Sequence, residues 1–349
     1  MAHTDSYLSF GVVGTEAGVE GQARSLQRTR VSVVMPAFNE AQNVASTVGA
    51  LVQFLDARTP SYEVLVIDDG STDLTATAVV SLPALWPVTL VQLSRNFGKE
   101  AAITAGLERA SGDVVLCIDA DGQHPLATVD QMFRLWTQGN DMVYAVHHDR
   151  RSDGRFKRWG VRWFYRALAA GSEVEIPADA GDFRVMDRRV VDAIRALPEQ
   201  NRFMKGLYAW VGFKSIGVPY VPTPRSGGAS HYSRTQLMRL AWSGLTGFTS
   251  LPLRAASVVG AFLALLAFGY GVWVIVETLA FNGTVPGWPT IVASIMFFSG
   301  VQLLFIGILG EYQARIFDEV KRRPNYIVAR VLRQAPHRVP NDETLHRRS

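Results

Sequence analysis

Between Val31 and Val146, short apolar runs alternate with longer segments whose apolar residues recur at helical spacing. The runs Val31–Met35, Glu63–Ile67, Val88–Leu93, Val114–Ile118 and Met142–Val146 lack the polar alternation of half-exposed strands. They predict strands buried on both faces, and Gln42–Ala57, Leu74–Ser81, Lys99–Ala110 and Pro125–Gln138 predict the helices between them. Strands of this kind, separated by helices, form an α/β domain with a mostly parallel sheet covered on both sides. Ligands of such sheets bind beyond the carboxyl ends of the strands. Polar clusters fall there: Pro36–Glu40, Asp68–Asp73, Ser94–Lys99 and Asp119–His124.

The pattern changes after Arg254. From Ala255 to Ala280 the only charged residue is Glu277, and from Gly287 to Gly310 there is none. Each stretch exceeds the roughly 20 apolar residues that cross a bilayer. The short uncharged connector Phe281–Pro286 makes them a transmembrane hairpin, 255–310. Its flanks are basic, with Arg234, Arg239 and Arg254 before it and Arg315 and Lys321–Arg323 after it. Positive flanks stay in the cytoplasm, so the body and both termini are expected on the cytosolic face of the cytoplasmic membrane. The other expected units are a disordered leader at 1–29, a catalytic domain at 30–230, interfacial helices at 231–254 and a basic tail at 311–349. The leader has no apolar segment of signal-peptide type.

Composition sharpens this division. The 349 residues carry a net charge of +4, but residues 321–349 hold +6 of it and the remainder sums to −2. The body is therefore not a basic nucleic-acid binder, and no nucleic-acid partner is expected. The basic tail suits anionic head groups. Arg150–Arg166 and Tyr232–Phe248 mix basic and aromatic residues and suit the lipid interface, with helix packing in an oligomer as the competing reading. The single cysteine, Cys117, excludes a disulfide framework and reads as a small buried hydrophobe.

The chemistry concentrates at Asp119-Ala120-Asp121, directly after a predicted strand. Two carboxylates so placed can face one cavity and hold Mg2+ or Mn2+, which complete their shells with water and phosphate oxygens. An Asp-rich turn would look the same in isolation. Asp68-Asp69 at a second strand end strengthens the cation reading, because acids gathered at one sheet edge repel unless compensated. His124 reads as a turn histidine packed on Pro125 and is left out of the metal set. Neither GxGxxG nor GxxxxGK[ST] occurs, so a dinucleotide or P-loop site lacks its phosphate cradle.

Three segments, Val33-Val34-Met35-Pro36-Ala37-Phe38-Asn39-Glu40, Val66-Ile67-Asp68-Asp69-Gly70-Ser71-Thr72-Asp73 and Asp119-Ala120-Asp121-Gly122-Gln123-His124-Pro125, resemble inverting family 2 glycosyltransferases of the Rossmann-like GT-A fold. Ser94–Glu100, Asp179–Met186, Arg202–Gly206, Gly310-Glu311-Tyr312 and the hairpin narrow the resemblance to polyprenyl-phosphate glycosyltransferases, including bactoprenol glucosyltransferases and dolichol-phosphate mannose synthases. It implies a nucleotide-sugar site at Pro36, Phe38, Glu40, Asp68, Asp69, Lys99 and Asp119. It also implies a metal held by Asp119, Asp121 and Gln123, with Asp182 or Asp179 as base or as a group orienting the acceptor. For both of these acids a loop carboxylate paired with Arg184 is the plainer alternative. Acceptor-phosphate candidates are Arg202, Lys205, Arg225 and Ser230; His231 stands where the family commonly has Lys.

The function so implied is transfer of one hexose, with glucose from UDP-glucose first, to undecaprenyl or another polyprenyl phosphate. Mannose from GDP-mannose is the alternative, and a homo-oligomer, with a tetramer among the options, is expected. A processive synthase would want Gln-x-x-Arg-Trp and more spans. A non-catalytic scaffold or lipid translocase would have no use for the paired acids.

Overall fold

In the computed structural model the residues described are 24–147, 180–200, 202–222, 251–281 and 287–333. Five strands follow the expected order: β1 (Val31–Ala37), β2 (Tyr62–Asp68), β3 (Val88–Leu93), β4 (Val114–Cys117) and β5 (Met142–His147). Between them run α1 (Val44–Asp56), α2 (Thr75–Val80), α3 (Lys99–Arg109) and α4 (Leu126–Thr137). Strand β6 (Ala180–Asp187), helices α5 (Arg188–Ala196) and α6 (Met204–Trp210), and strand β7 (Ser215–Tyr220) complete the globular part. Two long helices, α7 (Leu251–Phe281) and α8 (Trp288–Lys321), precede a last strand, β8 (Val328–Arg333).

All eight strands form one sheet in the order β7-β5-β6-β4-β1-β2-β3-β8. The centre, β4-β1-β2-β3, is parallel, whereas β6 runs antiparallel to both of its neighbours and β8 antiparallel to β3. Alternate residues of the buried strands supply two cores. Val31, Val33 and Met35 face α1 and α4 with Leu51, Leu55, Met132 and Phe133. Val34, Leu65 and Ile67 face α3, α5 and α6 with Ile103, Val191 and Leu207. Helix α3 approaches β1 closely because Gly106 lacks a side chain; a Cβ there would sit 2.2 Å from Val34 Cγ1. Cys117 is buried in β4, as its apolar setting implies.

Three findings differ from the sequence reading. The end of the expected disordered leader is ordered: Leu26–Arg28 forms a 3-10 turn, and Arg24 pairs with Asp141 at 2.9 Å. The Gly-Asp-Phe-Arg segment is not a loop but lies in β6, paired with β4 and β5. The region read as a basic tail supplies β8, which covers the otherwise open edge of β3. Helices α7 and α8 have 31 and 34 residues, so each is about 46–51 Å long at 1.5 Å per residue. Their spans Ala256–Val274 and Ser294–Lys321 are long and apolar enough to cross a membrane, and neither is buried against the protein. Arg150–Arg166 and Tyr232–Phe248 lie outside the described residues.

Candidate active site at the carboxyl edge of the sheet

The loops leaving β1, β2, β3 and β4 enclose a cavity of about 400 Å³ lined by Pro36, Phe38, Glu40, Asp69, Lys99, Asp119 and Asp121, among others. A cavity of about 530 Å³ between α7 and α8 has an almost wholly apolar lining with no charged group, so the chemistry belongs to the former. Phe38 is 44 % exposed and offers a flat apolar face to a ligand. Glu40 is braced by Asn43 Nδ2, which donates to its Oε2 at 2.8 Å.

The two acids after β2 are buried and do different work. Asp68 Oδ1 accepts from the Ser71 amide at 2.9 Å, and its Oδ2 accepts from Gln92 Nε2 at 3.1 Å. It is fully buried and absent from the cavity lining. Asp69 accepts from the Phe97 and Gly98 amides at 2.8 and 2.9 Å. It thereby ties the β2 turn to the loop that opens α3. Gly70 fits the same junction: its φ is +66°, and a Cβ would meet the Arg95 carbonyl carbon at 2.3 Å. Burial, reinforced by the neighbouring Asp68 charge, pushes the Asp69 carboxyl up despite the two amide donors.

Lys99, the first residue of α3, sits at the centre of the charge arrangement. Its Nζ lies 2.7 and 2.9 Å from the two carboxylate oxygens of Asp119 and 3.2 Å from Asp182 Oδ2. Burial acts to lower the Lys99 pKa, but Asp119 and Asp182 raise it above the usual lysine range. Burial acts to raise Asp119, yet the His124 hydrogen bond and the Lys99 charge hold it well below the usual carboxylate range. Asp121 accepts from the Gln123 amide at 3.1 Å, so Gln123 supports the turn through its backbone.

Beneath these acids three rings pack together: His124 lies 4.2 Å from Phe183 and 5.7 Å from Tyr220. His124 Nε2 is 3.4 Å from Asp119 Oδ2. Burial, then the charges of Asp119 and Asp121, pushes the Tyr220 hydroxyl up to about 12.

Asp182 is thus paired with Lys99, not with Arg184. The buried Arg184 lies two residues further along β6, with its guanidinium 3.3 Å over the Tyr208 ring and Nη1 on Met142 Sδ. Lys205 lines a separate cavity of about 210 Å³ with Arg184 and Tyr208. Arg202 donates to the Glu199 and Leu197 carbonyls at 3.2 and 2.9 Å. The structure therefore brings together Pro36, Phe38, Glu40, Asp69, Lys99, Asp119, Asp121 and Asp182, and sets Asp68, Arg202 and Lys205 apart. Asp179, Arg225, Ser230 and His231 lie outside the described residues. The sequence reading did not single out Glu100, whose carboxyl is pushed up to about 7 by burial and by the charge of Asp182. Its position beside Lys99 was the available signal.

Among the described residues no three His, Cys, Asp or Glu side chains are arranged to hold a metal ion. Asp119 and Asp121 nonetheless fit Mg2+ or Mn2+. Both are hard oxygen donors on one cavity, and Asp119 already straddles one cation, the Lys99 ammonium. The remaining ligands of such ions are water and substrate phosphates.

Residues 32–195 match Glycosyl transferase family 2. The chain is 41 % identical over 308 residues to the SfII prophage-derived bactoprenol glucosyl transferase of Shigella flexneri, covering 88 % of this chain and all of that one. It is 39 % identical to the prophage bactoprenol glucosyl transferase homolog of Escherichia coli K12, covering 86 % and 99 %. Among solved structures it is similar to glucosyl-3-phosphoglycerate synthase from Mycobacterium tuberculosis in complex with Mn2+, UDP-glucose and phosphoglyceric acid. That likeness has 21 % identity, covers 63 % of this chain and 78 % of the other, and gives a TM-score of 0.42. The chain is a glycosyltransferase and belongs to family 2, in the group of the bactoprenol glucosyl transferases.

Proposed function

We propose that this enzyme moves a single hexose, with inversion, from a nucleotide sugar to polyprenyl phosphate at the cytosolic face of the membrane. Bactoprenol glucosyl relatives favour glucose from UDP-glucose as the donor; mannose from GDP-mannose is the second reading. The observation that carries this is the register of β8. Val328 pairs with Leu93, and the Ser94 amide donates to the Ile327 carbonyl at 2.9 Å. The chain therefore comes off the apolar helix α8 at the same sheet edge that bears Asp69, Lys99 and Asp119. A water-soluble donor and a lipid acceptor would meet at that edge.

A divalent ion on Asp119 and Asp121 would supply Lewis-acid stabilisation of the departing diphosphate. The acceptor phosphate, with a second pKa near 6, is mostly dianionic at neutral pH. Its oxygen forms the new bond to the anomeric carbon while the bond from that carbon to the diphosphate oxygen breaks, and the electron pair leaves with the nucleotide. No proton need be removed, so Asp182 orients rather than deprotonates, held by Lys99. Phe38 and Glu40 line the side of the cavity assigned to the nucleoside. The helices α7 and α8 cross the bilayer and hold the body at its surface.

The test uses membranes containing the full chain, undecaprenyl phosphate and radiolabelled UDP-glucose, UDP-galactose, UDP-GlcNAc or GDP-mannose. Label is expected in the lipid phase with UDP-glucose, and Asp121→Ala is expected to abolish it while melting like the wild type. Normal turnover by that variant would overturn the metal-dependent mechanism. Label from GDP-mannose alone would select the second reading.

A further inference from the structure

The placement of the Lys99 ammonium bears on how the site is loaded. It contacts both oxygens of Asp119, at 2.7 and 2.9 Å, which is the position a divalent ion would need. The root of the side chain is fixed. Asp69 clamps the two preceding amides, and Gly106 seats α3 against β1. The side chain as a whole is 44 % exposed, so the ammonium can leave Asp119 without moving the helix. We propose that Lys99 is a place-holding cation: it occupies Asp119 in the free protein, so a divalent ion binds weakly until a nucleoside diphosphate arrives to take over the ammonium.

This rests on the reading of Asp119 and Asp121 as the metal site. Two cations cannot share one carboxylate at contact distance without strong repulsion. A nucleoside diphosphate brings negative oxygens for both, so the ion keeps Asp119 while Lys99 turns to the phosphates, still near Asp182. Metal and nucleotide then strengthen each other's binding, and the coupling is reciprocal. The arrangement also keeps the acids at this edge neutralised before substrate arrives.

The experiment is a Mn2+ titration of the full chain in detergent, reading the electron paramagnetic resonance of free Mn2+, first without nucleotide and then with UDP or GDP. Lys99→Met, and Lys99→Gln as a second variant, are expected to bind Mn2+ alone at least tenfold more tightly than wild type, about 1.4 kcal/mol. The enhancement of Mn2+ affinity by nucleotide is expected to shrink by a similar factor. Arg95→Gln controls for long-range charge: its guanidinium stacks on Phe97 at 3.9 Å in the same loop, and its Mn2+ affinity should change less than about twofold, since exposed charges interact weakly. Unchanged or weaker Mn2+ binding in both Lys99 variants, with nucleotide-dependent binding intact, overturns the place-holder and leaves the metal site standing. An equal gain in Arg95→Gln also overturns it. No Mn2+ binding by any of the proteins with either nucleotide overturns the metal site and the place-holder together.

Discussion

Asp69 and Asp68 are adjacent acids of the same burial, yet substitution by Asn should separate them sharply. Asp69 is 3 % exposed, and both of its partners are backbone amides, Phe97 at 2.8 Å and Gly98 at 2.9 Å. Neither donor can turn. In Asp69→Asn one of them faces an NH2 group, so one charge-assisted hydrogen bond is lost and a buried N–H is left without an acceptor. Such a loss costs roughly 1.5–3 kcal/mol for the bond to a charged group, with the stranded donor adding to it and relief of the burial penalty on the charge offsetting part of it. With a total of about 3 kcal/mol and an unfolding entropy of about 2.1 cal/mol/K per residue, a protein of 349 residues should melt about 4 °C lower.

Asp68 meets one backbone amide, from Ser71, and one side-chain amide, from Gln92. In Asp68→Asn the Gln92 amide can flip and offer its oxygen to the new NH2, so both hydrogen bonds survive. The change also removes a like charge that raises the Asp69 carboxyl. Its expected cost is under about 1 kcal/mol. Thermal unfolding of the purified full chain, followed by intrinsic tryptophan fluorescence, reads the difference. Asp69→Asn should also lose roughly a hundredfold in kcat/KM, because a shift of about 1 Å in a positioned group can cost that much, and the loop it releases carries Lys99. Equal melting temperatures for Asp69→Asn and wild type, or an equal fall in both variants, would refute the reasoning.

Two further outcomes follow from groups the chemistry does not touch directly. The Glu100 carboxyl, pushed up to about 7 from 4.5 by burial and by Asp182, binds more protons folded than unfolded between those pH values. Stability is therefore fully present below about pH 4.5 and falls as pH rises to about 7, by up to about 3 kcal/mol. Glu100→Gln should flatten this dependence and melt higher than wild type at pH 8; parallel pH profiles for the two proteins would sink the assignment. Ending the chain at Arg323 removes β8, the hydrogen bond that Tyr326 donates to Glu108 and the one it accepts from Arg109, exposing the edge of β3. Such a chain should elute as aggregate and melt lower by several degrees, whereas one ending at His337 should behave as wild type; an unchanged melting temperature for the shorter chain would show that β8 adds nothing.

What could be read in advance follows from where the folding information lies. Strands β1 to β5 were visible because parallel strands covered on both faces are continuous apolar runs, and α1 to α4 because their apolar residues keep helical spacing. Asp119 and Asp121 were visible because two acids two residues apart, just beyond a strand, can face one cavity, and both line it. Strand β6 was hidden by the charged residues it carries. It carries Asp182, which pairs with Lys99, and Arg184, a buried charge that lies over the Tyr208 ring and donates to the Gly181 carbonyl. The pairing of Lys99 with Asp119 was hidden for a different reason, since it depends on α3 docking over β1 through Gly106 and not on any local spacing.

Strand β8 is the most consequential of the hidden elements. Val-Ala-Arg-Val-Leu-Arg repeats apolar-apolar-basic and lacks the period-two alternation of a strand, so its arginines read as part of a basic tail. Its partner, β3, lies far back in the chain on the other side of two apolar helices. Antiparallel pairing forces the first residue of β8 against the last of β3, so the end of α8 is delivered to the carboxyl edge of the sheet. Glu319, near the end of α8, also accepts from the Gln200 amide at 3.0 Å, in the loop before α6. The catalytic domain is thus tied to α8 through β8 and through Glu319. Two attachments resist rotation where one would act as a swivel, and under the proposed function they would hold the open edge at a constant height and angle over the bilayer.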